Sequence, residues 1–63
     1  MNKNIDFIIS KEFSTYKVGE ISDIFGFGRV LSITELSVKG WCRISFEEGK
    51  VVDIGDVWLI VYL

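Results

Sequence analysis

An all-β fold, a small barrel of short strands, is what this chain's sequence predicts, on three observations. Glycine-centred turn signals fall at Gly19, Gly26/Gly28, Lys39-Gly40, Glu48-Gly49 and Gly55-Asp56, so the pieces between them have strand length. Those pieces are rich in Val, Ile, Phe, Trp and Tyr, side chains that fit a pleated, half-buried surface. No segment carries an apolar stripe of 3.6-residue period, the mark of an amphipathic helix.

Taken in chain order, residues 5–9 (IDFII) make the first candidate strand. The segment SKEFSTYKVGE after it is open between loop, a short helical turn, and a strand around Tyr16–Val18. RVLSITEL (29–36) reads as the first long strand. WCRISFEE (41–48) alternates, with Cys42, Ile44 and Phe46 on one face and Trp41, Arg43, Ser45 and Glu47 on the other. KVVDI (50–54) returns after a tight turn at Glu48-Gly49, so the two pieces form an antiparallel hairpin. Val52 and Ile54 then join the inward set. The last piece, VWLIVYL (57–63), puts Val57, Leu59, Val61 and Leu63 on one face and Trp58, Ile60 and Tyr62 on the other. It is apolar on both sides.

Closure removes exposed strand edges. At 63 residues the economical closed form is a five-stranded SH3-like barrel over residues 17–63, with residues 1–16 as an extra N-terminal strand or arm.

The pair Gly26-Phe27-Gly28 raises a nucleotide-loop reading, which the neighbouring residues exclude. A dinucleotide fingerprint needs a third glycine at position 31 and a helix behind it; position 31 is Leu, and RVLSI is strand-like. A bend or bulge entering the first long strand accounts for both glycines. The stretch Val18-Gly19-Glu20 followed by Phe25-Gly26-Phe27-Gly28-Arg29-Val30 resembles the opening of Tudor-like, SH3-type (Tudor/KOW-like) barrels. Such barrels lie at the C-terminus of UvrD/PcrA-type repair helicases and in RNA-polymerase-binding regulators of the CarD kind. The likeness continues through RISFEEGKVVDIGDVWLI and covers roughly residues 17 to 60. It departs from that pattern in a shorter stretch between Gly19 and Phe25, in the missing His-Pro pair, and in an aromatic at Phe27. The resemblance implies a module that docks on protein partners, RNA polymerase, helicase or nuclease machinery among them.

Composition narrows the chemistry. Cys42 is the only cysteine and histidine is absent, which excludes an intramolecular disulfide, a Cys/His zinc site and any His-dependent triad. A Ser–Lys pair remains formally open, with nothing to place one. Glu47, Glu48, Asp53 and Asp56 gather around the last two turns and read as a solvated acidic surface. The chain is therefore expected to be no enzyme and to need no cofactor or metal. Net charge is −2. It divides into +1 over residues 1–17 and −3 over residues 18–63, so a phosphate backbone is not the expected partner of the barrel. No secretory signal and no bilayer-length apolar run is present, and a lone thiol suits a reducing compartment; a cytoplasmic protein without membrane contact is expected.

The second apolar face of the last strand must be covered, either by residues 5–9 folding back or by a second copy or partner. Trp, Tyr and Arg dominate interface energetics, so the partner-binding candidates are Phe27, Arg29, Trp41, Arg43, Glu47, Trp58 and Tyr62, with the Trp41/Arg43 pair foremost. The alternative for that pair is Trp41 lying over the barrel end with Arg43 stacked on it. Three functions are open: a non-catalytic protein-interaction module acting as a stand-alone adaptor or inhibitor, of the phage or mobile-element type; a nucleic-acid binder using Arg29, Lys39, Arg43 and Lys50 around Trp41; or a structural homodimer subunit.

Overall fold

The computed structural model describes residues 4–11, 14–22 and 26–63. Among the described residues seven strands run in chain order: β1 (Ile5–Ser10), β2 (Thr15–Lys17), β3 (Ile21–Ser22), β4 (Gly28–Glu35), β5 (Cys42–Phe46), β6 (Val51–Ile54) and β7 (Val57–Tyr62). Among the described residues no helix is long and apolar enough to cross a membrane. Phe25, at the head of the Phe25–Val30 stretch, lies outside the described residues.

Two sheets form, one of order β2-β1-β7 and one of order β3-β4-β5-β6. All neighbouring strands are antiparallel. The chain passes between the sheets at two corners. At the first, Val18 donates its amide to Asp6 of β1, while Gly19 donates to the carbonyl of Val30 in β4. At the second, Gly55-Asp56 joins β6 to β7, with Asp56 in the left-handed region at φ 55°. Each sheet thus curls toward the other as half of a barrel, and residues 5–10 become the central strand of one half rather than an appended arm.

The core is a single cluster of Ile5, Ile8, Tyr16, Val30, Ile33, Cys42, Ile44 and Phe46, with Val18, Phe27, Val52, Ile54, Val57 and Ile60 packed against it. The β5–β6 hairpin supplies its inward residues by simple alternation. In β1, β4 and β7 the core-facing pairs Ile5/Ile8, Val30/Ile33 and Val57/Ile60 stand three apart, a spacing that puts residues on opposite faces of a regular strand. A shift of register intervenes each time. The β1–β7 ladder skips Asp6 between Ile5 and Phe7, and skips Trp58 between Val57 and Leu59. The β4–β5 ladder skips Leu31 between Val30 and Ser32. These are β-bulges, which turn the strand by one residue and sharpen its twist. They bring Ile5 with Ile8, Val30 with Ile33, and Val57 with Ile60 onto the core side.

The bulge at Trp58 corrects the expected sorting of the last strand. Val57 and Ile60 both pack on the core, although strict alternation separates them. Residues 5–9 also do not lie over β7. They lie beside it, hydrogen-bonded in its own sheet through the pairs Phe7–Val61, Ile8–Ile60 and Ile9–Leu59.

Candidate functional site

The ladder fixes what shares the outer face of the four-stranded sheet. Thr34 pairs with Arg43 and Arg43 with Asp53, while Ser32 pairs with Ser45 and Ser45 with Val51. Trp41 and Gly55 stand one step beyond the Cys42–Ile54 pair, on that same face. The indole lies directly on the glycine: a Cβ at position 55 would sit 2.7 Å from Trp41 Cζ2 and 2.8 Å from Cε2. Only glycine leaves that seat open. Trp41 remains 42% exposed, so one side of the ring is fixed against backbone while the rest meets solvent.

Arg43 is held by Asp53 and not by stacking on Trp41. Its Nε donates to Asp53 Oδ1 at 2.8 Å and its Nη2 to Oδ2 at 3.1 Å, a two-point fork that fixes the guanidinium plane. The hydrogen bond from Arg43, with the guanidinium charge behind it, holds the Asp53 carboxyl below its ordinary value. Because the folded pKa is depressed, this stabilisation is present above the unfolded carboxylate pKa and is lost as pH falls through the folded one. Arg43→Ala is expected to raise the Asp53 midpoint in a carboxyl NMR titration, and added salt to narrow the difference because both groups are exposed. An unchanged midpoint would contradict the pairing.

Phe27, Arg29 and Glu47 meet at the corner where β4 begins. Gly28 has φ +88°, and the Glu47 carboxylate approaches to 3.0 Å of where its Cβ would stand; the glycine provides both the left-handed turn and the room. Glu47 Oε2 accepts from the Arg29 amide at 2.9 Å, and Arg29 Nη1 donates to the Gly19 carbonyl at 2.6 Å. Phe27, a partner-binding candidate, is half-buried. Its ring meets Phe46 edge-on at 5.5 Å, with Lys50 Nζ 5.9 Å from its centroid. This corner fastens the start of β4 to Glu47 after β5 and to the turn at Gly19.

Trp58 and Tyr62 are placed apart from both groups. Trp58, on its bulge, donates Nε1 to the Ser10 carbonyl at 3.1 Å. Tyr62 donates its hydroxyl to Glu35 Oε1 at 2.6 Å, and that bond, with burial second, raises its pKa. The seven candidates therefore divide into a Trp41/Arg43 face, a Phe27/Arg29/Glu47 corner and two anchors on β7. Sequence reasoning missed Asp53 and Gly55 as the partners of Arg43 and Trp41. Both follow once the Glu48-Gly49 turn is taken to set the register, since residues 43 and 53 then stand opposite each other.

A shallow groove of about 190 Å³ runs between Ile5, Val18, Leu31, Ile33 and Leu63, with Asn4 and Ser32 as its polar members; none of its lining residues is titratable. The Cys42 thiol is buried, and burial followed by the Glu35 charge pushes its pKa up, the opposite of what an activated nucleophile needs. Of the four cations considered for nucleic acid, Arg29 and Arg43 are engaged by Gly19 and Asp53 and Lys50 stands over Phe27. No family model matches the chain, and neither a curated protein nor a solved structure matches it significantly.

Proposed function

We propose that this chain is a non-catalytic protein-interaction module, an SH3-like barrel that docks its partner on the outer face of β4–β5–β6. The carrying observation is Trp41 seated on Gly55 beside the Arg43–Asp53 fork. A half-exposed indole already fixed against backbone, with an oriented guanidinium next to it, loses little side-chain entropy on binding. The sheet order supports the SH3-like reading. If β2 with β3 is one bent strand and β6 with β7 one kinked strand, five strands follow one another around the wall and the last returns to β1.

The class of partner rests on the resemblance of Val18-Gly19-Glu20 and Phe25-Gly26-Phe27-Gly28-Arg29-Val30 to the barrels of helicases and polymerase-binding regulators. It makes the partner a protein of the transcription, repair or nucleic-acid-processing machinery, met in the cytoplasm, with the chain as adaptor or inhibitor. The test is capture from a nuclease-treated lysate by the immobilised chain and by a folded Trp41→Ala variant. The wild type is expected to retain a specific protein that the variant loses; equal retention would overturn the reading.

A further inference from the structure

β4 is paired along one edge and only in part along the other. Leu36 donates to the Trp41 carbonyl at 3.0 Å, and backbone bonds alternate along an antiparallel ladder. Thr34 and Ser32 therefore also face β5, while Glu35 and Ile33 turn their N–H and C=O groups the opposite way. On that side β3 pairs only with Arg29 and Gly28. The last bonds across run from Val30 to the Glu20 carbonyl and from Gly19 to the Val30 carbonyl, and at Val18 the chain leaves for Asp6 of β1. Among the described residues no strand pairs with this edge of β4 beyond Val30. The shallow groove lies along it, between Leu31, Ser32 and Ile33 of β4 and Ile5 of β1 with Leu63 after β7.

We propose that this edge is a strand-addition site for an extended segment of a partner protein. The segment pairs antiparallel with β4, setting a basic residue opposite Glu35 and, two positions later, an apolar residue opposite Ile33. Backbone donors and acceptors that recur at every second residue match another extended backbone. Cross-strand partners point to the same face, so the residue opposite Ile33 enters the groove. Glu35 accepts the Tyr62 hydroxyl at 2.6 Å, and neither ion pair among the described residues engages its charge. A cross-strand cation complements it. The same carboxylate disfavours a second copy, as charges at sheet edges do. Another β4 run antiparallel sets Leu31, Ile33 or Glu35 itself opposite Glu35, and none of these supplies a cation.

Amide NMR of the whole chain tests the proposal, with the terminally blocked peptide Ser-Thr-Arg-Thr-Val-Thr-Ser as probe. In the free chain the amides of Ser32 and Thr34 are expected to exchange slowly and those of Ile33 and Glu35 quickly. Peptide added to millimolar concentration should shift Ile33 and Glu35 saturably and slow their exchange. Replacing the peptide Arg by Glu should weaken binding roughly threefold or more, and Glu35→Lys should reverse that preference. Methylating the backbone nitrogen of the peptide Val removes the N–H aimed at the Ile33 carbonyl and should abolish binding. Trp41→Ala should bind the peptide as wild type does. Ile33 and Glu35 amides already protected in the free chain, by a second copy or by the chain itself, would overturn the proposal. So would the absence of a saturable shift, or equal binding of the N-methylated peptide. These outcomes leave the Trp41 docking reading standing, because the indole lies on the outer face of the sheet and not along this edge.

Discussion

Phe46→Ala is expected to leave the chain largely unfolded at room temperature. Phe46 is 1% exposed, stands opposite Val30 in the β4–β5 ladder, and receives Phe27 edge-on. Truncating a buried Phe to Ala costs about 3–5 kcal/mol through lost transfer energy and the cavity left behind. The T-shaped ring pair adds about 0.5–1.5 kcal/mol. Against this, a core in a chain of this length rarely supplies more than about 3–5 kcal/mol, so the loss is comparable with the whole stability. Urea denaturation followed by circular dichroism would show the variant without a folded baseline. A cooperative transition close to that of wild type would contradict the placement of Phe46 at the centre of the core.

Deleting one residue should have opposite consequences in two adjacent strands. Leu31 is the extra residue of the β4 bulge and is 55% exposed. Without it, Val30 and Ile33 stand two apart and still face Phe46 and Ile44, so a cost within the usual point-mutation range of about 0.5–3 kcal/mol is expected. Deleting Ser45 from bulge-free β5 moves Ile44 and Phe46 onto opposite faces, because a one-residue slip inverts every later side chain. That variant should not fold. Dispersed amide NMR spectra would separate the two outcomes, and a Leu31 deletion as disruptive as the Ser45 deletion would contradict the bulge assignment.

The same contrast explains what could be read before the structure. The β5–β6 hairpin was legible because Cys42, Ile44 and Phe46 alternate without interruption and Glu48-Gly49 sets the return, which also places Trp41 and Arg43 outward. The period-two rule failed where a bulge intervenes. Ile5/Ile8, Val30/Ile33 and Val57/Ile60 stand three apart, which no regular strand puts on one face, and only the register of the partner strand reveals the extra residue. β2 is three residues long, too short to show a pattern, and its one buried side chain is Tyr16. The position of β1 beside β7 is a pairing across nearly the whole chain, which no local signal carries. At the site, residue type and outward direction were readable, while the Gly55 seat and the Asp53 fork depended on that same register. The contact of Phe27 with Phe46 was not legible either, because it depends on the turn formed by Gly26 and Gly28, at φ +69° and +88°.

The most direct test of the docking account is photo-cross-linking with Trp41 left in place. A benzophenone side chain at Thr34, beside Arg43 on the outer face of β4–β5–β6, is compared with one at Thr15 on the outer face of the other sheet. In nuclease-treated lysate, the Thr34 probe is predicted to yield a protein adduct that excess unlabelled wild type abolishes and Trp41→Ala does not, while the Thr15 probe yields no adduct of that mass. An adduct formed from Thr15 and not from Thr34, or competition by Trp41→Ala equal to that by wild type, would contradict it.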